Sequence, residues 1–226
     1  MAGSRRFAFS SLLFLAMGAA TFTAASLGIL ATFIIDDLSI SRAELGVVLA
    51  VVNIAAAVLS PVAGRVTDRI GGKAAIVALF VIAGATFLLL GTAVGYVMLL
   101  AGALAGAFSN AFGNPSTNKL IAEDLPAGER GLITGVKQSG VQFGIFLGGV
   151  TVPSIAVAIG WRGAYLVVAA IPLILALLAL WVVPSTPQTS AANNRPVRPK
   201  PVMTSSKITS TPRARTRSTT ARTNSG

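Results

Sequence analysis

Between Lys73 and Lys119 the chain carries no charged residue. Crossing the hydrocarbon core of a bilayer takes about 20 apolar residues in a helix, and a single helix from Lys73 to Lys119 would be over twice that length. The stretch therefore has to turn back on itself, and Gly91 to Gly95 is the place where its residues allow it. This predicts one spanning helix near 74–93 and another near 96–120.

The same rule applies along the rest of the chain. Arg5 and Arg6 precede an uncharged run from Phe7 to Ile35. A basic start and small residues near Ala24 and Ala25 suit a signal peptide, but the run is too long and further spans follow, which predicts an uncleaved first helix. Asp36, Asp37, Arg42 and Glu44 form a first loop, and Leu45 to Gly64 is a second uncharged span. After the fourth span comes a charged connection, Glu123 to Arg130, with Pro126 and Gly128 as breakers. A fifth span starts near Gly131 and ends between Pro153 and Ile159. Trp161 and Arg162 read as an interfacial anchor, and Ala164 to Val183 as a sixth span closed by Trp181 and Pro184. The expectation is an all-α membrane protein with six transmembrane helices in residues 1–184.

Composition agrees, with 54% hydrophobic and 11% charged residues. Cysteine and histidine are absent. That excludes disulfides, thiolate nucleophiles, Cys/His zinc sites and a histidine proton relay, and no catalytic group, metal or cofactor is expected. The net charge of +11 suggests nucleic acid until it is located: eight of the eighteen basic residues lie beyond Pro184, where there is no acid. Residues 185–226 have no aromatic side chain on which bases could stack, so nucleic acid is not an expected partner. Rich in Ser, Thr, Pro and Arg, this segment reads as a disordered basic tail. Its Arg213–Arg217 run either lies on anionic lipid or is simply solvated. With the N-terminus inside, Arg5, Arg6, Arg65, Arg69, Lys73, Lys119, Arg130, Lys137 and the tail all fall on the inner side. Only Arg42 and Arg162 remain outside, so both termini are expected to be cytoplasmic, in a multi-pass protein of the plasma (inner) membrane.

Gly64-Arg65-Val66-Thr67-Asp68-Arg69-Ile70-Gly71-Gly72-Lys73 joins the second and third spans. Gly64 closes the second apolar run, where a missing Cβ suits a turn or a close neighbour; Gly71 and Gly72 turn the chain. Asp68, the only acid among Arg65, Arg69 and Lys73, should stay ionised and accept charge-assisted hydrogen bonds. The decapeptide resembles the loop between the second and third helices of the major facilitator superfamily, Gly-x-x-x-Asp-Arg-x-Gly-Arg/Lys-Arg/Lys. Gly64, Asp68, Arg69, Gly71 and Lys73 fill that pattern, and Gly72 is the one departure. The resemblance covers roughly Ser10 to Pro184. It implies a six-helix half-transporter of two inverted three-helix repeats, in which Asp68 latches a helix of the other half. The tail takes the place of the central cytoplasmic loop.

Polar side chains within the spans either knit helices together or line a path. Asn110, Asn114 and Thr117 share one face of the fourth helix, where Pro115 should leave a carbonyl near Ala111 without its usual partner and cause a kink. Thr21, Thr23 and Ser26 in the first helix and Asn53 in the second are further candidates. Gly140, Gly144 and Gly148 recur every four residues, a stripe that lets helices approach closely. Gly135, Gly144, Gly148 and Gly149 partly resemble the fifth-helix motif of the family's antiporters, with Gly149 standing where that motif has proline. Lys137 lies about 10 Å along the helix from Arg130 at 1.5 Å per residue. Either it snorkels to the headgroups, or with Gln138 and Gln142 it presents a cation to an anionic solute. No acid lies at mid-membrane, so no carboxylate proton relay is evident. The Asn-Pro-Ser-Thr-Asn and Lys-Gln-Ser-Gly runs resemble those of cyanate-permease-like members, which handle small anions.

The expected function is transport of a small solute across the lipid bilayer, in concert with a second six-helix half or as a homodimer. The alternative is a membrane interaction protein or an inactive fragment that transports nothing. Candidate path residues are Thr23, Asn53, Asn110, Asn114, Lys137, Gln138 and Gln142.

Overall fold

The computed structural model describes residues 3–126 and 128–183, with side chains from Phe7 onward. The basic tail expected over 185–226 lies outside the described residues, as do the side chains of Arg5 and Arg6. Among the described residues all regular structure is helical: α1 Gly3–Ile29, α2 Ala31–Leu38, α3 Arg42–Ile70, α4 Gly72–Gly91, α5 Tyr96–Asp124 and α6 Arg130–Val182. Five of these are long and apolar enough to cross a membrane. The longest, α6, is interrupted at Gly160, whose φ of 79° and ψ of 160° leave the helical region. Only glycine adopts that conformation without strain.

Local chemistry accounts for the helix ends. Ser41 caps α3 through a reciprocal capping box: its hydroxyl accepts from the Glu44 N–H at 3.1 Å, and the Glu44 carboxylate accepts from the Ser41 N–H at 2.7 Å. The α4–α5 reversal falls where the glycines predict, between Gly91 and Tyr96. The α3–α4 reversal is tighter than expected. Gly64 does not end a helix; α3 continues through it to Ile70, and only Gly71, at φ 83°, turns the chain. No neighbour lies within 4 Å of where a Gly64 Cβ would sit, so close packing in this bundle does not explain that glycine either. Charged residues after Gly64 read as loop, yet they continue the helix beyond the apolar run.

α1 packs against α6, α5, α4 and α3. One of its faces, Phe14, Gly18 and Phe22, meets the Gly140, Gly144 and Gly148 stripe of α6. A Cβ on Gly140 would run into the Phe14 carbonyl and one on Gly148 into the Phe22 ring, while one on Gly144 would stand 3.0 Å from the Gly18 Cα. Gly135 and Gly149 have open space instead. Another face of α1 meets α5, with Ala20 against Gly113 and Thr23 against Gly106. α4 packs on α5 and on the part of α6 after Gly160, with Gly84 against Leu173 and Gly91 against Leu166.

Two apolar clusters fill the interior. One, at the Asp37 end, includes Phe22, Leu30, Val48, Phe87, Leu99, Trp161 and Tyr165; the other, at the Asp68 end, includes Phe9, Leu13, Ile76, Phe80, Leu120 and Leu175. Trp161 is therefore not the interfacial anchor its position suggests. It is 3% exposed, packed edge-on to Tyr165 with the Arg162 guanidinium 4.5 Å from its ring centroid. Trp181, near the end of α6, is by contrast 89% exposed.

Candidate functional site

Lys137 lies three residues before Gly140, on the face of α6 that the glycine stripe presses against α1. That rotation carries its side chain inward to 2% exposure rather than up to the headgroups, which corrects the snorkelling expectation. Its ammonium has three protons to donate. It finds three acceptors, all on α5: Asn118 Oδ1 at 2.6 Å, Thr117 Oγ1 at 2.9 Å and Asn114 Oδ1 at 3.4 Å. Thr117 can accept because its own proton goes to the Gly113 carbonyl at 2.7 Å. Met17 Sδ of α1, 3.7 Å from the Thr117 hydroxyl, closes the site from behind.

This arrangement is unusual in its charge balance. Among the described residues Lys137 has no ion-pair partner. Removing an ammonium from water while offering only neutral acceptors leaves much of its desolvation cost uncompensated. The site therefore holds a buried positive charge with no counter-ion among the described residues. Asn114 and Asn118 are exposed, and with Asn110, which is partly buried, they form a stripe of amides every fourth residue along the accessible side of α5.

The remaining candidates are more scattered. Thr23 is buried between α1 and α5, donating to the Ala20 carbonyl at 2.8 Å with the Gly106 carbonyl at 3.3 Å. Asn53 is exposed on α3, and its amide donates to the Leu49 carbonyl of its own helix at 2.8 Å. Gln138 and Gln142 are exposed on α6, next to Lys137 in sequence but not bonded to it. Thr117 and Asn118 complete the cluster, although the candidate set held only Asn114 and Lys137 of its four members. The four-residue repeat from Asn110 through Asn114 reaches Asn118, and that was the available signal. α5 crosses Pro115 with its backbone helical throughout; Ser116 and Thr117 donate to the Phe112 and Gly113 carbonyls.

At the Asp68 end, Asp68 is 72% exposed in its side chain and pairs with Lys119 of α5 at 3.2 Å. Lys119 also lies 3.8 Å from Glu123, and Glu123 accepts from the Gly72 N–H at 3.3 Å at the start of α4. The family-like loop is thus tied to α5 of its own bundle. A concavity of about 280 Å³ near this end is lined by Phe9, Ser10, Leu125, Glu129, Leu132 and Ile133, and so lies apart from the Lys137 cluster. At the opposite end, Arg162 donates to the Ala93 carbonyl at 2.7 Å and pairs with Asp37 at 2.6 Å, joining α2, the α4–α5 turn and α6.

Comparison with known proteins agrees with this geometry. The family model described as Major Facilitator Superfamily matches residues 12–220. The hexuronate transporter of Bacillus subtilis is 29% identical over 163 residues, 72% of this chain and 39% of that protein. The gallate transporter of Pseudomonas putida is 29% identical over 182 residues, 77% of this chain and 39% of that protein. A putative polyol transporter of Arabidopsis thaliana is 30% identical over 69% of this chain. Among solved structures, a bacterial homologue of the human lysosomal transporter Spinster, inward-facing and unoccupied, superposes with a TM-score of 0.71 at 19% identity. That superposition covers 83% of this chain and 45% of the other. The chain therefore spans less than half the length of these relatives.

Proposed function

This chain belongs to the major facilitator superfamily, a family of transporters rather than enzymes, and from that premise we propose that it supplies the N-terminal half of a solute transporter. In this reading α6 counts as two spans divided at Gly160, which gives six helices as two inverted three-helix repeats. Both termini face the cytoplasm of a cell whose plasma membrane the chain crosses. Solute moves by rocking of this bundle against a second six-helix half, supplied by another chain or by a second copy, because half a cavity cannot alternate its access. The bulk of the outward surface is apolar, as lipid requires, with Val47, Ile54, Val58 and Val62 along α3 and Phe146, Val150 and Val157 along α6.

The solute we propose is a small organic carboxylate. The observation that carries this is Lys137, a buried cation held by neutral acceptors, beside a stripe of amides that remains accessible. Two relatives, a hexuronate and a gallate transporter, are named for carboxylates, whereas the polyol transporters are named for neutral solutes.

Uptake by membrane vesicles from the native host, with the chain present or deleted, tests the reading. Labelled glucuronate, gallate and a neutral polyol would be compared. Deletion should lower uptake of at least one carboxylate and leave the polyol unchanged. Loss of polyol uptake alone would replace the carboxylate with a neutral solute. Unchanged uptake of all three would leave the chain as a membrane interaction protein without transport.

A further inference from the structure

Every proton of the Lys137 ammonium is spent on α5. α5 and α6 otherwise share little contact; α1 lies against both. A further polar tie is at the Asp68 end, where Arg130 donates to the Leu125 carbonyl at 3.0 Å and the Ala122 carbonyl at 3.0 Å. Lys137 thus fastens α6 to α5 within the span, two turns above a pin at Arg130. We propose that a solute carboxylate takes the Lys137 ammonium over from α5, so that solute binding frees the first part of α6, together with the α1 face its glycine stripe grips, to swing away from α5 about the Arg130 pin. The proposal rests on the carboxylate reading above and adds to it the step that converts binding into movement.

The exchange is favourable for an anion and not for a neutral solute. A bond from ammonium to carboxylate is roughly twice as strong as one between neutral groups. In the low dielectric of the site the Coulomb attraction adds to it. A hydroxyl, by contrast, can only match the amide and hydroxyl oxygens it would displace. Asn114 and Asn118 are exposed residues whose Oδ1 atoms are the ones engaged by Lys137, leaving their Nδ2 groups to donate elsewhere. Once the ammonium has left their oxygens, these amides can turn and donate to the bound anion. Binding energy is greater in the released state than in the tied one, and that difference is what allows a ligand to shift a conformational equilibrium.

The absence of cysteine makes the test specific. The whole chain carrying Phe108→Cys and Phe146→Cys, both at exposed positions beyond the Lys137 tie, is spin-labelled in phosphatidylcholine nanodiscs. Pulsed electron paramagnetic resonance reads the α5–α6 distance, and calorimetry reads binding. Glucuronate should bind and give a longer, broader distance distribution, and glucose should do neither. Lys137→Gln should weaken glucuronate binding by roughly tenfold or more, from the loss of a charged hydrogen-bond donor. Asn118→Ala, at an exposed position, removes the shortest of the three ties and should lengthen the distance without ligand.

Glucuronate binding with an unchanged distance would overturn the release step alone and leave the carboxylate reading standing. No binding of glucuronate or gallate would overturn both. Wild-type affinity in Lys137→Gln would place the anion elsewhere and end the proposal. Replacing phosphatidylcholine with phosphatidylglycerol distinguishes a lipid headgroup from a solute. The distance change appearing with that lipid alone would make the occupant a phosphate of the bilayer, also overturning the proposal.

Discussion

At Gly140 the backbone of α1 stands against α6, the Phe14 carbonyl occupying the place a Cβ would take. Backbone cannot move aside as a side-chain tip can. Gly140→Val should therefore force the helices apart and cost about 1–3 kcal/mol, the range for overpacking a tight core. Gly149, nine residues along the same helix and open on its outward side, is the control, and Gly149→Ala should leave stability unchanged or slightly raised. Thermal unfolding of both variants in detergent checks the pair; equal melting would remove the close-packing role. The stripe itself is plain in the sequence, because a four-residue repeat of glycine has an immediate packing meaning. Its consequence for Lys137 is not. Whether that side chain reaches headgroups or interior depends on the rotation of α6 about its axis, which the Gly140–Phe14 contact sets across the bundle.

At the scale of elements, Arg162 joins three segments at the Asp37 end. Its guanidinium is partly exposed, so its contribution is modest: the ion pair with Asp37 is worth under about 1 kcal/mol, and the bond to the Ala93 carbonyl a similar amount or more. Arg162→Gln should lower the melting temperature measurably. Asp37→Asn, which leaves the Ala93 contact in place, should lower it less. If the two variants melted together, the Ala93 contact would have no stabilising part. The spans themselves were legible because the absence of charge over long runs, with glycine at the turns, constrains topology strongly. Helix ends were less so. Arg65, Asp68 and Arg69 are polar enough to read as loop, but they sit on one further turn and a half of α3, which nothing in their chemistry forbids. Trp161 misled for a related reason: Trp beside Arg at the end of an apolar run is the composition of an interface, and only packing against Tyr165 turns it inward.

For the whole molecule, the telling residue is Asp68. Its pair with Lys119 is too exposed to contribute more than about 1 kcal/mol to this bundle. If Asp68 also latches a second half, Asp68→Asn should leave insertion and melting of the chain alone nearly unchanged while reducing crosslinking to the partner half in native membranes. Wild-type crosslinking would reduce Asp68 to a solvated loop acid. The same loop holds the one residue that departs from the family pattern. Gly72 stands where related loops carry a cation, and a Cβ there would lie 2.8 Å from the Leu120 side chain and 2.9 Å from Glu123 Oε2. The crowding atoms are a leucine tip and a carboxylate, both able to turn aside, so a cation introduced at 72 would have to displace the Leu120 side chain but would find an acid already waiting beside it.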